Sequence, residues 1–184
     1  IEYWDAPTHK LLVHRESAAA HGSVALPQLR AGEHYQYSLT VVGARGNTGE
    51  RETGMFASPG LPDDLLEATF TTKATPTSPL TMLELNGAFQ GFGIVDGDGY
   101  PVWRWRTHGA PQGFTRRANG NFVFNDLASG LFEVTVDGDV VHELLPLPGG
   151  ARVPHHDVIA TPANTILFLE QETRGTITGN CIRE

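Results

Sequence analysis

Cysteine is almost absent from this chain. Cys181 is the only one in 184 residues. A lone thiol cannot form an internal disulfide, so a disulfide-stapled scaffold is excluded and cysteine usage says little about compartment. Basic runs are also missing, and the formal net charge is -8, which argues against nucleic acid or an anionic membrane surface as a partner. No apolar stretch reaches the ~18 residues that a membrane helix needs. The opening Ile1-Glu2-Tyr3-Trp4 reads as a strand and not as a signal peptide. What the chain has in quantity is punctuation: 21 Gly and 12 Pro, spread along its length, with 40% hydrophobic residues to supply a core. That combination predicts an all-β chain of many short strands and turns.

In residues 1–74, Ser23 to Leu29 alternates and meets a turn at Arg30-Ala31-Gly32. Tyr35 to Val42 alternates again, with Tyr35, Tyr37, Leu39 and Val41 expected on one face of a half-buried strand. Gly43 to Gly49 reads as a loop, and Ala68 to Thr72 as a closing strand. The spacing Leu29-x-x-Gly32-x-x-Tyr35 resembles the tyrosine corner of immunoglobulin-like sandwiches. With Glu2-Tyr3-Trp4 it gives the segment the look of a fibronectin type III domain that holds only the later strands, the first two being expected before Ile1. His9, His14, His21 and His34 match no common zinc spacing and are read as surface residues.

Residues 75–79, within Lys73 to Pro79, form a Pro/Thr/Ser linker. Beyond it a repeat emerges. Val95-Asp96-Gly97-Asp98-Gly99 is answered by Val136-Asp137-Gly138-Asp139, 41 residues on from Asp96 to Asp137. Asn119-Gly120-Asn121-Phe122 is answered by Ala163-Asn164-Thr165-Ile166, 44 residues on from Phe122 to Ile166. A period of roughly 40–45 residues is the length of a four-stranded propeller blade. Residues 80–184 are therefore expected to form about two blades of a β-propeller, an incomplete ring.

Three clusters carry candidate chemistry. Asp96-x-Asp98-Gly99 opens like a calcium loop but has no carboxylate at the distal position, and Asp-Gly is a favoured two-residue hairpin turn; the turn is the expectation. Trp103, Trp105 and Phe114 suit blade core better than ligand stacking. Pro154-His155-His156-Asp157 aligns with Pro111-Gln112-Gly113 of the preceding repeat. A bland position thus becomes His-His-Asp at the start of a strand, and such departures are expected at functional sites. Asp157 would orient an imidazole for acid–base work. A structural histidine bonded at a strand start explains the same residues equally well. Arg174 follows the next strand, as an anion ligand or an ordinary loop arginine.

The Val95 to Trp103 blade opening, together with Pro154-His155-His156-Asp157-Val158 before an apolar strand, resembles the bacterial arylsulfotransferase (aryl-sulfate sulfotransferase) family over residues 80–174. The resemblance implies a six-bladed propeller with a central active site. It also implies transfer of a sulfuryl group from an aryl sulfate ester to a phenolic acceptor through a sulfo-histidine, with no nucleotide donor or other cofactor, in the periplasm or outside the cell. Carried over by motif, His156 matches a channel histidine, His155 is the alternative, and Arg174 matches an anion-binding arginine. No residue matches the covalent histidine. His108 and His142 lie in other contexts, His142 replacing Trp103 of the repeat, so the nucleophile is expected in a later blade. Two other classes remain open at this point: a non-catalytic extracellular binding or adhesion module, and a metal- or quinone-dependent propeller enzyme, which needs further ligands at matching positions.

Overall fold

Short alternating runs separated by glycine-bearing turns build strands almost throughout. The computed structural model describes residues 2–5, 11–13, 26, 29–66, 70, 77–146 and 152–184. Within them the chain is all-β, with antiparallel pairings and a single short helix. No helix among the described residues is long and apolar enough to cross a membrane.

The first sheet contains β1 (Glu2–Asp5), β2 (Leu11–Val13), β3 (His34–Val42) and β4 (Thr48–Ala57), in the order β2-β1-β3-β4. The tyrosine-corner geometry is present. The backbone N–H of Arg30 donates to Tyr35 Oη at 2.7 Å, across a turn in which Gly32 adopts φ 76°. Tyr35 is buried and stacks on Phe56 with ring centroids 5.5 Å apart. The face expected of β3 is only partly realised. Ser38 is buried, its Oγ accepting from Arg51 Nε, whereas Val41 is 64% exposed. For Val41 the cause is a bulge between Thr40 and Val42, which breaks the alternation at the loop end of the strand. β4 was not expected from sequence. Its Glu50, Arg51 and Glu52 are exposed, and it forms by pairing with β3. Of the expected strands, Ala68 to Thr72 lies outside the described residues except Phe70, and Ser23 to Leu29 except Leu26 and Leu29. His9, His14 and His21, and linker residues 75 and 76, also lie outside them; His34 is exposed on β3.

The helix α1 (Asp63–Leu66) precedes three further sheets. One holds β5 (Leu80–Asn86), β6 (Gln90–Asp96) and β7 (Pro101–Arg106). The next holds β8 (Pro111–Arg116), β9 (Phe122–Asp126), β10 (Gly130–Val134) and β11 (Val140–Leu144). The last holds β12 (Arg152–Ala160), β13 (Ile166–Arg174) and β14 (Ile177–Arg183). Each is a meander whose sheet order follows the chain. Where the repeat predicted about two units, residues 80–183 thus form three sheets, because 80–106 already makes one.

The β8–β11 sheet lies between the other two, and every residue of β9 is buried. On one face Phe122, Phe124 and Val134 pack with Phe92 and Ile94 of β6. Trp103 meets Phe122 at 4.9 Å and Trp105 meets Phe124 at 5.7 Å, so these tryptophans are core, as expected of them. On the opposite face Val123 and Leu131 pack with Val158 of β12, flanked by Ile166 and Phe168. Burial on both faces is why β9 reads as an unbroken apolar run, Phe122-Val123-Phe124.

The hairpin loops share one design. Asp96 N–H donates to Tyr100 O and Gly99 N–H to Asp96 O, and the same pair of bonds recurs at Thr135/Asp139, Arg117/Asn121 and Thr161/Thr165. Gly99, Gly138, Gly120 and Asn164 all take positive φ at the third loop position. These are three-residue loops with a left-handed closing residue, not the two-residue turns expected. They also correct the repeat register. Gly99 is equivalent to Gly138, 39 residues on, so Asp96 corresponds to Thr135 and not to Asp137.

Candidate functional site

The Asp-Gly-Asp turn is engaged by the first segment. Asp96 Oδ1 accepts from the N–H groups of Asp98 and Tyr100, at 3.0 Å each. Its Oδ2 accepts from Arg30 Nε at 2.7 Å, and Asp98 takes a second bond from the same guanidinium, which lies 4.1 Å from the Tyr100 ring centroid. These carboxylates bind an arginine. Among the described residues no group of three or more His, Cys, Asp or Glu side chains could hold a metal ion.

The His-His-Asp segment lies on β12, an edge strand, and it is a bulge. His155 pairs with Leu169 and Val158 with Phe168, leaving His156 and Asp157 without partners on β13. His156 has φ 55°, left-handed backbone on a residue with a Cβ. An L-residue there costs about 1 kcal/mol relative to ordinary backbone. A shorter bulge, with one residue skipped where β12 skips two, occurs on β8. Gln112 pairs with Asn125 and Phe114 with Phe124, while Gly113, at φ 57°, is skipped. His156 thus stands in the place of Gly113, and Asp157 is an additional residue of the β12 bulge with no counterpart on β8.

The two bulges touch. His156 N–H donates to Gln112 Oε1 at 3.0 Å. A Cβ at Gly113 would collide with the His156 carbonyl oxygen and come within 3.1 Å of Asp157 Cα. Ala160 N–H donates to Thr115 Oγ1 at 3.2 Å. The histidine rings meet edge-on with centroids 4.8 Å apart, and His155 Nε2 lies 3.2 Å from Asn180 Oδ1. His156 and Asp157 are exposed and His155 is half-buried. Asp157 makes no hydrogen bond to either histidine. Neighbours in sequence were expected to pair, and the bulge separates them. Beside Gln112, Asn125 is fully buried, and its Oδ1 has no hydrogen-bond partner among the described residues.

Comparison with protein-family models, curated proteins and solved structures finds no match. The chemistry of the site rests on its own geometry.

Arg174 does not join the histidines. It ends β13, five residues past Leu169, roughly 16 Å along the strand at the usual rise. Its guanidinium donates to Glu172 at 2.9 and 3.2 Å. That hydrogen bond, with the Glu172 charge, raises the Arg174 pKa above its ordinary value. Arg183 binds Glu170 at 2.8 Å and Glu172 at 2.9 Å, so these arginines are neutralised within their own sheet.

His108 is held through its backbone N–H, which donates to Asp126 Oδ2 at 2.8 Å, and its side chain is exposed. His142 lies exposed on β11, at the opposite edge of its sheet from β8. Gln112 was passed over in the sequence as bland. The signal that finds it is the repeat: the residue before the left-handed Gly113 faces the next repeat's left-handed residue.

Proposed function

We propose that the β8/β12 seam of this chain supplies part of the sulfuryl-transfer site of an arylsulfotransferase-like protein, with its three stacked meanders belonging to a β-propeller. Support for the architecture comes from the first strands of successive sheets, β8 and β12, lying side by side, as radially arranged blades require. The observation that carries the function is His156. A left-handed backbone on a histidine, where the equivalent position is glycine, is strain at a residue whose ring is free to act. An imidazole donates, accepts or attacks near neutral pH. Next to a sulfate ester, the protonated His156 ring would give its proton to the leaving phenolate oxygen as the S–O bond breaks and the sulfuryl sulfur bonds to a nucleophile supplied from outside this seam. His155, held to Asn180, would flank it. Arg174 is given no part in this reading, being paired with Glu172 on its own strand.

The test is p-nitrophenol release from p-nitrophenyl sulfate with phenol as acceptor, in the full-length protein and its His156→Ala variant. Acceptor-dependent release is expected from the first and a fall of about 100-fold in the second, the scale of one lost positioned acid–base group. Equal release from both removes His156 from the chemistry. A second reading, a non-catalytic binding or adhesion module, is favoured by the apolar side chains left open on the last sheet: Ile159 is 59% and Ile182 71% exposed. Absence of release from the unmodified protein supports that reading.

A further inference from the structure

We infer that Gln112 is the positioning residue for His156, setting the imidazole through its backbone. The inference rests on the proposed role of His156 but goes beyond it, to a residue on the neighbouring sheet. The bulge takes the His156 amide out of the β12–β13 ladder. An amide removed from a ladder needs another acceptor, and Gln112 Oε1 supplies it at 3.0 Å. The acceptor arrives from the preceding sheet because Gly113, lacking a Cβ, lets the β8 backbone close onto the carbonyl of His156. Farther along the seam Thr115 Oγ1 accepts from the Ala160 amide. The segment from His156 to Ala160 is thus tied to β8 at both ends, by side chains of the neighbouring sheet. Rotation of the His156 backbone out of φ 55° breaks the first tie and swings the ring with it. Gln112 bonds the amide and not the ring, so it acts through orientation.

The experiment compares Gln112→Ala and Gln112→Glu in the full-length protein. Glu retains an acceptor oxygen of the same reach. Three readouts are taken: hydrogen exchange across residues 152–160, the rate of diethyl pyrocarbonate modification of His156, and kcat and KM with p-nitrophenyl sulfate. For Gln112→Ala the expected result is exchange faster by 10-fold or more at His156 and a modification rate altered at least threefold. With them kcat falls about 10-fold while KM stays within twofold, and Gln112→Glu restores most of the loss. A stability defect alone would not divide kcat from KM in this way or be rescued by the acid. Unchanged exchange and modification in Gln112→Ala overturn the inference, as does changed exchange with unaltered kcat. If the unmodified protein turns over no aryl sulfate, the sulfuryl-transfer reading fails by itself, and exchange with modification still decides the positioning: altered rates uphold it and equal rates overturn it.

Discussion

The hairpins β8–β9 and β12–β13 follow one backbone plan and fill it with different residues. Each has a left-handed residue in its first strand, Gly113 in one and His156 in the other, and a left-handed residue closing its loop, Gly120 in one and Asn164 in the other. In the first hairpin both are glycine, and in the second neither is. The space around them separates the cases. A Cβ at Gly113 meets backbone of the next sheet, so packing alone demands glycine there. A Cβ at Gly120 meets only the tip of Arg116, at 3.8 Å. Asn164 tolerates left-handed backbone as asparagine commonly does. Packing gives His156 no such reason, and its side chain is exposed. The backbone at His156 is held by Gln112 and the β8 strand, but nothing in the packing calls for a histidine side chain there, which points to what the ring does.

The comparison breaks first at Gly113. Gly113→Ala combines the left-handed penalty with a collision that two packed strands must relieve, and is expected to destabilise by about 3 kcal/mol. Gly120→Ala carries only the first term, about 1 kcal/mol. Urea unfolding of the two variants measures both. Equal losses would mean that the bulges do not press on each other.

The next largest effect lies where the two loops are tied together. Arg117, in the β8–β9 loop, donates to the carbonyl of Asn164 and pairs with Glu133, which is 3% exposed. Burial alone would raise the Glu133 pKa. Hydrogen bonds from Asn121, Arg117 and Asn119, with the Arg117 charge, outweigh it and leave the pKa lowered. A carboxylate whose folded pKa lies below its unfolded value stabilises fully above the unfolded value, and the stabilisation disappears as pH falls through the folded one. Glu133→Gln should therefore cost about 2 kcal/mol at pH 7, with the difference from the unmodified protein shrinking as the pH falls below the ordinary glutamate range. Denaturation midpoints from pH 7 down to 3 test it. A difference that stays constant with pH would remove the charge from the account.

The tyrosine corner was legible because its geometry is local: Leu29, Gly32 and Tyr35 lie within one turn and a strand start, and the Arg30–Tyr35 bond needs nothing more distant. The core tryptophans were legible from alternation on β7. β4 was not, since a strand exposed along Glu50, Arg51 and Glu52 has no pattern of its own and is specified by the backbone of β3. The Asp-Gly turns were legible as turns, but not their register, because Asp96 and Asp137 look alike while the closing hydrogen bonds select Gly99 and Gly138. At the site, His155 and His156 stood out against the repeat. The Gln112 bond depends on how closely two sheets approach, which no spacing along the chain records. Asp157 misled for the opposite reason: adjacency in sequence suggested a pair that the bulge keeps apart.

The smallest effect bears most directly on the contrast between His156 and Asn164. If His156 carries strain for function, relieving that strain should stabilise the fold even as activity falls. His156→Gly and His156→Ala both remove the ring, but only Gly is at ease at φ 55°. The Gly variant should be more stable than the Ala variant by about 1 kcal/mol. At Asn164 the side chain already suits left-handed backbone, so Asn164→Gly should shift stability by less than about 0.5 kcal/mol. Thermal unfolding of the three variants reads the difference. A His156→Gly variant no more stable than His156→Ala would mean that the bulge relaxes once the ring is gone. The left-handed backbone would then belong to the imidazole and its neighbours and not to the strand, and the equivalence of the two bulges would end at their shape.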